Sequence, residues 1–136
     1  MRFFVFIFLM LAGAVQAQVR DSVFATYDDY AAFVDKRIQT RDFIELVQVL
    51  GGRDEYTPEQ LRSVDMQLKA AFPVDLQNAS VFRKEDLGGG VVQEARIYWT
   101  GEVYAFFYAI LHMRGDDLVV INFTLNSSIN EIMAKF

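Results

Sequence analysis

Val103-Tyr104-Ala105-Phe106-Phe107-Tyr108-Ala109-Ile110-Leu111-His112-Met113 is the stretch on which the fold turns. It holds no glycine or proline and is rich in aromatic residues, which reads as a strand. One alternating set is Val103, Ala105, Phe107, Ala109 and Leu111; the other is Tyr104, Phe106, Tyr108, Ile110 and His112. A strand with one wet face would alternate with polar residues, and neither set here is polar. The strand is therefore central, with cover on both faces. Helices can supply one cover. A partner subunit, a long loop or a ligand must supply much of the other.

Working outward, Gln77 to Lys84, Val91 to Thr100 and Leu118 to Asn126 are further β-branched and aromatic runs. Gly88-Gly89-Gly90, Thr100-Gly101 and Arg114-Gly115-Asp116-Asp117 separate the runs and read as turns. These connections are too short for crossover helices, so the four strands form an antiparallel meander. Register is open. A three-residue Thr100-Gly101-Glu102 loop sets Tyr98 opposite Tyr104, and a two-residue loop sets it opposite Val103, which exchanges the faces.

The N-terminal half has helical period. Thr26 caps a helix from Tyr27 to about Gln39, with Tyr30, Phe33, Val34 and Ile38 in phase and Asp28 and Asp29 at the positive end of the dipole. Phe43, Leu46, Val47 and Leu50 form a second stripe that ends at Gly51-Gly52. Thr57-Pro58-Glu59-Gln60 is a capping box with proline at the first helical position, and Leu61, Val64, Leu68 and Phe72 follow on one face. Pro73 stops that helix. Ser128-Ile129-Asn130-Glu131 is a second capping box, opening a short helix over Ile129 to Lys135. Helices followed by a meander define an α+β domain: N-terminal helices packed on a four-stranded antiparallel sheet, with a short C-terminal helix.

From Tyr27 to Leu125 this element order resembles the NTF2-like and related cystatin-like superfamilies. The three helices look like the helical wall of that cone-shaped fold, and Val91 to Leu125 looks like its long sheet. The NTF2-like order usually places strands before the third helix; this chain shows none there, and its last helix is extra. The resemblance implies no single activity, since the fold hosts isomerase-like enzymes, ligand binders and non-catalytic domains.

The N-terminus sets where the chain goes. Met1-Arg2 carries charge, Phe3 to Ala12 is apolar, Gly13 breaks the run, and Val15-Gln16-Ala17 offers small residues for cleavage. That is the layout of a signal peptide over residues 1–17, too short to span hydrocarbon at about 20 residues. The expected product is exported, periplasmic or secreted, without stable membrane insertion after cleavage. A flexible leader over residues 18–26 then precedes one domain, 27–136. The chain has no cysteine, so packing alone holds it. Loss of Arg2 takes the net charge from −5 to −6, which disfavours nucleic acid as a partner.

The candidate ligand-binding residues are Arg96, Tyr98, Tyr104, Phe106, Tyr108 and His112. Glu94, Arg96 and Tyr98 share one face of their strand; beside a tyrosine-bearing neighbour they would put polar groups into an apolar pocket. As a plain surface they would instead be a solvated charged strip, and this is the favoured reading. Asp28, Asp29 and Asp35 read as a solvated helix face. His112 is the sole histidine, with no nucleophile or ligand spacing beside it, so neither a catalytic residue nor a metal or other cofactor is expected. Arg114-Gly115-Asp116 is accounted for by turn chemistry. The expected function is a non-catalytic exported domain that binds through its sheet. Its partner is a second copy in a homodimer, an envelope protein, or a small apolar ligand. The alternative is an NTF2-like enzyme acting on a small organic substrate.

Overall fold

Three helices lie on one face of an antiparallel sheet. The structure is a computed structural model and describes residues 20–136. The signal-peptide reading of residues 1–17 lies outside them. The elements are β1 (Val23–Phe24), α1 (Tyr27–Gln39), α2 (Phe43–Gly51), α3 (Pro58–Ala71), β2 (Asn78–Gly88), β3 (Val91–Thr100), β4 (Val103–Arg114), β5 (Asp117–Asn126) and α4 (Ile129–Met133).

Local chemistry accounts for the helix ends. The Asp29 amide donates to Thr26 Oγ1 at 3.1 Å and starts α1. Arg41, at φ 57°, ends the α1 turn, and the Asp42 amide donates back to the Arg37 carbonyl at 2.8 Å. The box at Thr57 is reciprocal: the Gln60 amide donates to Thr57 Oγ1, and the Thr57 amide donates to Gln60 Oε1. The box expected at Ser128 does not form. Ser128 makes no side-chain cap, and its amide donates instead to Asn126 Oδ1 at 2.8 Å. An asparagine two residues upstream is a nearer acceptor.

The sheet has five strands, not four, in the order β1-β5-β4-β3-β2. Val23 and Phe24, expected within the flexible leader, pair antiparallel with Val119 and Leu118. The connection has the two residues of one expected loop, but the pairing differs from both expectations, because closing on Gly101-Glu102 sets Tyr98 two positions beyond Val103. Thr100 faces Val103 across a Gly101-Glu102 turn, so Tyr98 lies opposite Ala105 and Arg96 opposite Phe107. Glycine at φ 57° suits this two-residue connection.

β4 is central and covered on both sides. Its inner face, with Ala105, Phe107, Ala109 and Leu111, packs against Tyr30, Val34 and Ile38 of α1 and Phe43, Leu46 and Leu50 of α2. On the outer face a smaller cluster joins Ala95, Phe106 and Tyr108 to Ile132 and Phe136. The second cover expected from a partner, loop or ligand is thus supplied in part by the chain's own C-terminal segment. That segment is fastened down: Gln93 Nε2 donates to Tyr108 Oη at 2.7 Å and to the Lys135 carbonyl at 3.1 Å, and the Arg83 guanidinium lies 4.1 Å from the Phe136 ring centroid.

β5 slips register between Ile110 and Leu111 of its partner, with Ile121 as the extra residue. The bulge keeps Leu118, Val120, Phe123 and Leu125 on the inner side although the alternation breaks between 120 and 123.

Candidate functional site

The observed register splits the expected ligand-binding set between the two faces. Arg96 and Tyr98 point inward beneath α1; Tyr104, Phe106, Tyr108 and His112 lie on the outer face. They do not line one pocket. Phe106 and Tyr108 are buried under α4, while Tyr104 is 44 % exposed, its ring 6.2 Å from that of Phe106. With Ala70, Ala71, Pro73 and Ile129 these two rings border a shallow, open depression. His112 is half-buried at the far end, beside the Gly90 turn.

Glu94 and Arg96 do not form a solvated strip. Glu94 is 0 % exposed and Arg96 4 %. Both point inward from β3 toward α1, so these charges must find partners within the layer. Arg96 Nε donates to Glu94 Oε1, Nη1 to Asp35 Oδ1 at 3.0 Å, and Nη2 to Tyr27 Oη at 2.9 Å. Tyr27 Oη donates to Glu94 Oε2 at 2.6 Å, and Tyr98 Oη to Asp35 Oδ1 at 2.7 Å. Asp35, expected on a solvated face with Asp28 and Asp29, is therefore the α1 anchor of this network; Asp28 and Asp29 are exposed.

The network shifts its own titrations. Burial, then the hydrogen bond to Glu94, pushes the Tyr27 phenol up to about 12. Burial raises the Tyr98 phenol, with the Asp35 carboxylate adding to it. Burial also raises Tyr30, helped by the charge of Glu94. For Arg96, burial alone would lower the pKa; Glu94, Tyr98, Asp35 and Tyr27 outweigh it and hold the guanidinium charged. The Tyr30 hydroxyl is buried without a hydrogen-bond partner among the described residues. The other groups spend their hydrogen bonds on each other, and none lines that depression or the space between α2, α3 and β5.

The more enclosed of the two hollows lies elsewhere, between α2, α3 and β5. Only Leu61 of α3 is buried within its helix; Val64 and Leu68 are half-buried and face a cleft of about 490 Å³. Leu46, Val47 and Leu50 of α2 form one wall, and Val120, Phe123 and Leu125 of β5 the other. Tyr56 closes one end, where a Cβ on Gly51 would sit 3.3 Å from its ring and 3.4 Å from that of Phe123. Glycine there lets the helix end approach both rings. Polar lining comes from Ser22, Glu55, Asn122 and Thr124, and Glu55 is the only charged group among them. Sequence reasoning missed this cleft. Its one sequence signal is the phase slip from Leu118 and Val120 to Phe123 and Leu125.

Among the described residues no cluster of His, Cys, Asp or Glu is arranged to hold a metal ion, and no helix is long and apolar enough to cross a membrane. Comparison with protein-family models, with curated proteins and with solved structures gives no match in any of the three.

Proposed function

We propose that this chain is an exported, non-catalytic binding domain whose ligand site is the cleft between α2, α3 and β5. The cleft carries the proposal: about 490 Å³ bordered by aliphatic and aromatic side chains from two layers, with polar groups making up nearly half of its exposed lining. That volume falls within the range of sites for small organic ligands, commonly about 300–1,000 Å³. Export is supported by the charged, apolar and small-residue order of residues 1–17. The layer of three helices on an antiparallel sheet supports an NTF2-like or cystatin-like variant, reached without strands between α2 and α3. An enzyme would need a carboxylate or histidine aimed into the cleft. Glu55, the one carboxylate in its lining, is solvent-exposed and has no histidine beside it, and Glu94, Asp35 and His112 do not line the cleft, so the binding reading is preferred.

The test is titration with a neutral apolar fluorophore such as Nile red. Emission should rise and saturate, and Val64→Trp, which fills the cleft, should abolish the rise while the protein still unfolds cooperatively. Trp99 is the only tryptophan and sits on β3's outer-facing set, so its emission should not respond. Binding that survives Val64→Trp, or that quenches Trp99, would move the site to the outer face. N-terminal sequencing of the protein from the exported fraction should begin at Gln18; a first residue of Met1 would refute cleavage.

A further inference from the structure

We propose that the ligand of this cleft is an extended segment of a partner polypeptide, added as a strand to the open edge of β5. The inference rests on the cleft being the binding site and names what fills it. Six consecutive residues of β5, Val120 to Leu125, line the cleft. Side chains alternate between faces along a strand, so a wall of six consecutive residues is made of their shared main-chain edge as well as their inward side chains. Among the described residues no backbone hydrogen bond from another element reaches that edge beyond Val120, whose amide donates to the Ser22 carbonyl at 2.8 Å.

The same edge already takes a strand. β1 runs antiparallel along it, Val23 opposite Val119. Extended backward, that strand would continue past Val120 toward Leu125. It stops because Ser22 adopts φ 64°, and its amide donates to the Val49 carbonyl of α2 at 2.6 Å while its hydroxyl donates to the Leu50 carbonyl at 2.6 Å. The edge is left unpaired where the α2–α3 wall stands beside it. An incoming strand would satisfy alternate main-chain groups of β5, and every second side chain would enter the apolar cleft. Charge defines the partner further. Glu55 is the one charged lining group, and the nearby Arg53 is engaged by Asp21 and Glu45. The segment that fits is apolar at alternate positions and carries lysine or arginine at the cleft mouth.

The probe is a capped, fluorescein-labelled Lys-Val-Thr-Val-Thr-Val-Lys peptide, followed by fluorescence anisotropy with the full chain. Saturable binding is expected. Methylating the alternate peptide amides on one edge should weaken it at least about tenfold, and on the other edge should leave it nearly unchanged. Glu55→Gln should weaken it about threefold, and Val64→Trp should remove it. Equal binding of both methylated peptides, or no peptide binding by a protein that still binds Nile red, overturns strand addition and leaves the cleft reading standing. Failure of peptide and Nile red together removes both. A concentration-dependent dimer that excludes the peptide assigns the edge to a second copy and also overturns the proposal.

Discussion

Arg96 shows how one side chain can hold a helix to a sheet. Its guanidinium reaches Glu94 on its own strand and Asp35 and Tyr27 on α1. Replacing it with methionine leaves a fully buried carboxylate facing a lost partner, which should cost about 3–5 kcal/mol. Lys69→Met, breaking the half-exposed i,i+4 pair with Asp65, should cost less than about 1 kcal/mol. Urea unfolding of the two variants measures the difference, and similar midpoints would show that Arg96 is not buried in a network. The tyrosines give a pH test. Tyr27, Tyr30 and Tyr98 all have folded pKa values raised above 10.0, Tyr27 to about 12. The unfolded chain then loses phenolic protons first. Their stabilisation is complete below pH 10 and falls as pH rises from 10 toward 12. Absorbance at 295 nm should show only part of the six tyrosines ionised in the folded protein near pH 11. One step near pH 10 for all six would contradict the burial. The sequence placed Glu94, Arg96 and Tyr98 on one face, but whether that face met water depended on a register that local residues leave open.

At the scale of elements, the legible parts are those specified by neighbours in sequence. Thr57 to Gln60 make a complete capping box because donors and acceptors lie three residues apart. The Tyr27–Gln39 helix and the Val91–Thr100 strand keep their expected bounds for the same reason. What was not legible depends on distant partners. β1 is two residues long and exists only because β5 offers an edge, so no run of its own could announce it. The β2–β3 turn gives an element-scale prediction. Gly89 and Gly90 both have positive φ, at 63° and 81°, yet a Cβ on Gly89 meets nothing within 4 Å. One on Gly90 would lie 2.5 Å from the Met113 carbonyl oxygen, and the Met113 amide donates to the Gly90 carbonyl at 2.8 Å. Gly89→Ala should cost about 1–2 kcal/mol for its backbone alone. Gly90→Ala should cost more, because β4's end must move; equal thermal midpoints would refute that close approach.

Over the whole molecule, the two-sided apolar strand has a resolution the sequence left undecided. The inner face meets α1 and α2, and the outer face is closed in part by α4 and Phe136. The site expected on the sheet face is thereby divided, and the unfilled space moves to the edge, where α3 stands away from β5. That space was hidden in the sequence because it arises from how two layers diverge, which no single element encodes. The central claim is that the β5 edge within the cleft is where a ligand binds. Amide hydrogen exchange with and without the peptide probe tests it most directly. The account predicts new protection at alternate amides between Ile121 and Leu125, with none at Trp99, Tyr104 or Phe106; protection confined to that outer set, or absent from β5, would contradict it.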